Sequence, residues 1–168
     1  MTGPGTSPGV KSAIEALSRL KERGETLAVA ESCTGGGLGS ILTSVPGAST
    51  AFIGGVIAYR DSVKHALLGV GATTLAAHGA VSEPCALEMA EGVRDRLEAD
   101  WGVSITGIAG PDGGSQDKPV GTVWIGLSGP GLCVGEAHRF PGDREQVRSA
   151  AANAALALLI RSVGVENG

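Results

Sequence analysis

Five short apolar runs with strand character, 26–30, 52–59, 103–108, 122–127 and 133–140, alternate with segments of helical period. That alternation constrains the fold more than any single residue does. Strands separated by helices demand right-handed parallel crossovers, whereas the last two runs are joined by SGPG (128–131), short enough for a hairpin. Between the runs, Val10, Ile14, Leu17 and Leu20 recur at helical spacing and stop at Arg23-Gly24. Leu38, Ile41 and Leu42 predict a short helix, Asp61 or Ser62 can cap another through Leu68, and Thr73 or Thr74 starts a further turn. Ser82-Glu-Pro84 opens a long amphipathic helix, and Asp143 with Gln146 reads as a capping box for the last one, to about Val163. The expected fold is an α/β three-layer α/β/α sandwich with a mixed, mostly parallel sheet. Residues 1–8 read as a flexible leader and 9–168 as one domain.

Bulk properties narrow the function classes. A chain of 168 residues, 42% hydrophobic and 18% charged, can bury one core; at 3% aromatic, that core must be aliphatic. The net charge of −4, without a Lys/Arg stripe or stacking aromatics, argues against a nucleic-acid partner. No apolar run nears the roughly 20 residues of a membrane span, and no signal-peptide pattern opens the chain. Cys33, Cys85 and Cys133 are odd in number and widely spaced, as reduced thiols of a cytoplasmic protein are; neither they nor the scattered histidines suggest a metal site. The Ala-rich segment 150–160 suits the core or a homo-oligomer interface.

In a sheet of this kind, ligands bind beyond the carboxyl ends of the strands. Three polar clusters fall there: ESCTGGG (31–37), YRDSVK (59–64) and TGIAGPDGG (106–114). The first is a strand running through glycines into a helix start, where free amides stabilise an anion. It lacks both GxxxxGK[ST] and GxSxG, so a phosphate cradle, a nucleophile turn and a plain corner with capping hydroxyls all remain open. A serine nucleophile needs a base, and His65, His78 and His138 have no evident carboxylate partner in sequence. Lys64 offers a base if burial lowers its pKa, and Tyr59, the one tyrosine, can relay a proton; the competing reading is a solvated helix lysine and a packing ring. The glycine-rich loop 109–121 is long enough to suggest function, and Arg144 beside a capped helix start can hold a phosphate or carboxylate, or be solvated.

Six segments together carry a resemblance: AESCTGG (30–36), YRDSVK (59–64), HGAVSEP (78–84), GIAGPDGG (107–114), KPVGTVW (118–124) and FPGDR (140–144). In this order, across nearly the whole chain, they resemble the CinA C-terminal domain family, the nicotinamide mononucleotide deamidases. The resemblance implies an amidohydrolase that needs no metal or other cofactor and converts nicotinamide mononucleotide to nicotinic acid mononucleotide and ammonia. It implies Ser32 as nucleophile, Lys64 as its base and Tyr59 as a helper in proton transfer. Thr34, Gly35 and Gly36 would supply anion-binding amides. Thr106, Gly107, Ile108, Ala109 and Gly110 would line the nucleotide pocket, and Arg144 would meet the phosphate. Some relatives carry this domain behind a larger N-terminal one. Arg60, Asp61 and Glu31 receive no role. Two other readings stay open: a different amide substrate, and a non-catalytic nucleotide-binding domain linked to competence or DNA damage.

Overall fold

Caps and glycines punctuate the chain where its periodicities break, and the backbone follows them. The computed structural model describes residues 6–164. Ser7 accepts a hydrogen bond from Val10 N, Pro8 opens α1 (Pro8–Arg23), and Gly24, at φ 66, ends it. The leader expected over residues 1–8 thus meets a helix cap at Ser7 and helix at Pro8; residues 1–5 lie outside the described residues. There follow β1 (Leu27–Glu31), α2 (Gly37–Thr43), β2 (Phe52–Ile57), α3 (Asp61–Leu68), α4 (Ala72–His78), α5 (Glu83–Arg96), β3 (Trp101–Gly107), β4 (Thr122–Gly129), β5 (Leu132–Arg139) and α6 (Arg144–Val163). Ser82 caps α5 through Cys85 N, and the Asp143–Gln146 capping box opens α6. α3 begins without a side-chain cap, so neither Asp61 nor Ser62 does what their spacing suggested.

The five strands form one sheet in the order β2-β1-β3-β4-β5. β1 lies between β2 and β3 and parallel to both; β4 runs antiparallel to β3 and β5. Four strands therefore point one way and β4 alone runs against them, a mixed sheet with both faces covered. Leu27 and Val29 join the core beneath α1, α2 and α6, whereas Ala28 and Ala30 pack with Leu68, Met89 and Val93 of α3 and α5. That alternation explains why β1 is buried at all five positions. The expected α/β three-layer sandwich is the fold observed.

Close packing on the α5 face sets the site. A Cβ on Gly102 would overlap the Ala90 carbonyl, and one on Gly126 the Ala86 carbonyl, so α5 rests directly on the backbones of β3 and β4. Ser104 Oγ donates to Ala86 O at 2.6 Å. One residue pair further along β3, Thr106 Oγ1 donates to Ala80 O at 2.9 Å. The strand end is thereby tied to the segment that leads into α5.

Candidate active site

The carboxyl ends of β1, β2 and β3 are laced together by backbone bonds. Ser32 N donates to Ile105 O at 3.0 Å, and Ala58 N donates to Glu31 O at 2.8 Å. Ser32 is thereby held just beyond β1, and Tyr59 just beyond β2. The first turn of α3 then returns Lys64 over the strand ends. Its Nζ lies 3.0 Å from Ser32 Oγ and 3.0 Å from Tyr59 O, with Asp61 Oδ1 at 3.8 Å. Lys64 is 1% exposed, and Ser32 is buried beside it. Desolvation lowers the Lys64 pKa from 10.5, opposed chiefly by the Asp61 carboxylate. A neutral amine has a free lone pair: it can accept the Ser32 hydroxyl proton while an N–H donates to Tyr59 O.

A cleft of about 250 Å³ opens beside this pair. Ser32, Tyr59, Lys64, residues 106–110 and Arg144 all line it, so nine of the expected site residues meet at one opening. Thr34, Gly35 and Gly36 do not line it. Thr34 is fully buried and borders a separate hollow together with Arg148, and Gly36 borders a hollow beside β2. Arg144 Nη1 donates to Gly110 O at 2.7 Å, and Nη2 to Tyr59 Oη at 3.3 Å. The Tyr59 side chain therefore reaches the rim cation, and it is the Tyr59 backbone that touches Lys64.

Several groups at the site escaped sequence reasoning. Asp61, left without a role, faces the cleft and counters the desolvation of Lys64. Ala80 and Val81, in the segment before α5, and Asp112 and Gly113, in the loop after β3, also line the opening; the segments HGAVSEP and GIAGPDGG that contain them were the available signal. Glu31 is buried and accepts from Leu38 N at 2.9 Å and Gly39 N at 3.0 Å, so the first amides of α2 are filled by the protein's own carboxylate. Cys33 borders the cleft, but burial pushes its thiol up to about 11, which leaves little thiolate at neutral pH. None of the three histidines lines the cleft; His138 instead meets Glu136 at 3.1 Å on β5. Among the described residues, no cluster of three or more His, Cys, Asp or Glu could hold a metal ion, and no helix is long and apolar enough to cross a membrane.

Fold and site together define a three-layer α/β protein whose buried lysine meets a serine at the carboxyl edge of its sheet. The chain belongs to the CinA C-terminal domain family, whose model matches residues 10–163. It is 56% identical over 146 residues to a CinA-like protein of Synechococcus sp., a match covering 86% of this chain and 35% of that protein. A CinA-like protein of Gemmatimonas aurantiaca is 53% identical over 152 residues, 90% of this chain and 36% of that one. The chain spans about a third of the length of these curated relatives. Among solved structures, the competence/damage inducible protein CihA from Agrobacterium tumefaciens superposes with a TM-score of 0.92 at 34% identity, covering 98% of this chain and 100% of that one. A CinA superfamily protein from Escherichia coli gives 0.88 at 35% identity, covering 96% and 94%.

Proposed function

We propose that this domain is an amidohydrolase that converts nicotinamide mononucleotide to nicotinic acid mononucleotide and ammonia. The observation that carries the reading is the Lys64 Nζ, buried and 3.0 Å from Ser32 Oγ. A buried lysine with a lowered pKa and a hydroxyl within hydrogen-bond reach is the pairing that an activated serine nucleophile requires.

In the first step Ser32 Oγ bonds to the carboxamide carbon, the carbonyl π pair moves onto oxygen, and Lys64 takes the hydroxyl proton. The tetrahedral oxyanion then collapses, the C–N bond breaks, and the Lys64 proton leaves with ammonia. Water, deprotonated by the same amine, attacks the acyl-enzyme and releases the carboxylate while the proton returns to Ser32. Arg144 at the rim has no carboxylate partner among the described salt bridges and keeps donors free for the 5′-phosphate. Residues 106–110 bring backbone against the pyridine and ribose.

The test is ammonia release from nicotinamide mononucleotide, with nicotinic acid mononucleotide quantified in parallel. Wild type should turn over, and Ser32→Ala should show no burst and at least a roughly thousandfold lower kcat. Turnover of other amides alone would move the substrate assignment. Binding of the nucleotide without any turnover would favour a non-catalytic nucleotide-binding domain. Full activity in Ser32→Ala would remove the nucleophile.

A further inference from the structure

Asp61 received no role from any motif, and the fold leaves its carboxylate idle at the reacting end of the cleft. It opens α3 three residues before Lys64, and that spacing sets the two side chains on one face of the helix. α3 begins without a side-chain cap, so no amide of its first turn takes up the carboxylate. Lys64 Nζ stands 3.8 Å from Asp61 Oδ1, beyond hydrogen-bond distance, and is itself turned to Ser32 Oγ and Tyr59 O at 3.0 Å each. The Asp61 side chain is 61% exposed, against 2% for Lys64, and it lines the cleft. A ligand can therefore reach this carboxylate without displacing a hydrogen-bond donor of the protein. Four charged side chains line the opening: Asp61, Lys64, Asp112 and Arg144. Desolvation drives Lys64 toward the neutral amine, which leaves Asp61 as the unbalanced charge beside the nucleophile. Arg144 is bound to Gly110 O and Tyr59 Oη at the rim. The cleft thus offers a carboxylate where the amide reacts and a cation at its edge.

We infer that Asp61 is a specificity-determining residue that selects amides borne on a cationic ring: its carboxylate faces the positive ring while Ser32 attacks the carboxamide that the ring carries. The inference rests on the proposed substrate, nicotinamide mononucleotide, whose charges are the complement of the cleft's. Its amide sits on a pyridinium ring and its phosphate lies at the far end. Both ring carbons next to the one that bears the carboxamide share the pyridinium charge, so the positive charge comes close to the reacting group. An amide of the same shape on a neutral ring gains nothing from Asp61. A hydrogen bond from the carboxamide N–H to Asp61, by contrast, would serve both rings alike, so the ring's charge is the discriminating variable.

The test compares nicotinamide mononucleotide with the C-nucleotide of the same shape in which a neutral benzamide ring replaces the pyridinium. Dissociation constants are measured by calorimetry on Ser32→Ala, where nothing is hydrolysed, with and without Asp61→Asn. The pH is set above the midpoint of the wild-type pH–rate profile, where the influence of Asp61 on the Lys64 proton no longer counts. Asp61→Asn keeps the shape of an exposed side chain, and thermal melting checks each protein. The pyridinium nucleotide should bind about 5- to 30-fold more tightly than the benzamide one, the scale of one charge pair partly open to water. Asp61→Asn should remove that preference by weakening the pyridinium nucleotide alone. Salt at about 1 M, where the Debye length shrinks to about 3 Å, should narrow it as well. Equal affinities from the outset, a preference that survives Asp61→Asn, or an equal weakening of both nucleotides overturns the inference and leaves the proposed function standing, provided that wild type releases ammonia from nicotinamide mononucleotide. Binding of neither nucleotide, with no ammonia released by wild type, refutes the proposed substrate and the role of Asp61 together. A preference that depends on Asp61, without ammonia release, supports the inference and refutes the hydrolase reading alone.

Discussion

Lys64→Met is the most informative single change, because it should move activity and stability in opposite directions. The Lys64 Nζ sits 3.0 Å from Ser32 Oγ, and a positioned general base contributes about 10²- to 10⁴-fold to a rate, or roughly 3–5 kcal/mol of barrier. Methionine keeps most of the side-chain volume and removes the base, so kcat for ammonia release should drop by that factor. Stability should respond the other way. Burial lowers the folded-state pKa of Lys64 below its ordinary 10.5. Between the lowered value and 10.5, the unfolded chain therefore binds more protons than the folded one, and wild-type stability rises with pH across that window. Below the window the destabilisation is present in full; above 10.5 it is gone. An uncharged methionine carries no such dependence, so Lys64→Met should melt higher than wild type at pH 7 and should lack the wild-type rise toward pH 10. The assays are ammonia release and thermal melting by circular dichroism from pH 6 to 11. In wild type, kcat/KM should also rise with pH as Lys64 loses its proton, then level off. A variant that keeps more than a tenth of wild-type kcat, or that melts lower at pH 7, would refute the reasoning.

Three further outcomes follow from the same loop. Glu31→Gln leaves one buried amide of α2 without its carboxylate oxygen; charge-assisted bonds of this kind are worth about 2–3 kcal/mol, so the melting temperature should fall by roughly 5–10 °C, and a change below a degree would count against the capping role. Thr34 Oγ1 is buried without a hydrogen-bond partner among the described residues, so Thr34→Val should stabilise by about 1 kcal/mol in chemical denaturation and leave KM unchanged; a raised KM would place the hydroxyl in substrate binding. Iodoacetamide at pH 8 should modify exposed Cys133 first, because Cys33 and Cys85 are buried with thiols pushed up to about 11 and hold only about one part in a thousand as thiolate; mass spectrometry showing Cys33 alkylated first would make it the reactive group.

Local signals in the chain carried the order of the elements, though not the start of α1 or the cap of α3. Ser82-Glu-Pro84 and the Asp143–Gln146 box start helices because each side chain bonds amides within its own first turn; Ser7-Pro8 starts α1 in the same way, where a leader was expected. The alternation of strand and helix periods carried the sandwich, since a right-handed crossover admits few arrangements. The motifs at the strand ends carried the meeting of Ser32, Lys64, residues 106–110 and Arg144 at one cleft. Other properties had no local signature. Whether Lys64 is solvated or buried depends on where α3 settles against β1 and α5, and only that placement strips water from the amine and lowers its pKa. Glu31 lies next to Ser32 in sequence but belongs to α2, because the carboxylate reaches amides seven and eight residues on. Arg148 resembles any exposed-face arginine of a long helix until α6 docks beside the loop and its fork finds two carbonyls. The sequence by itself determined the order of elements and the chemistry available at their ends. Only the tertiary structure decided which groups lose their water and which amides stay free, because desolvation and hydrogen-bond competition depend on neighbours that are distant along the chain.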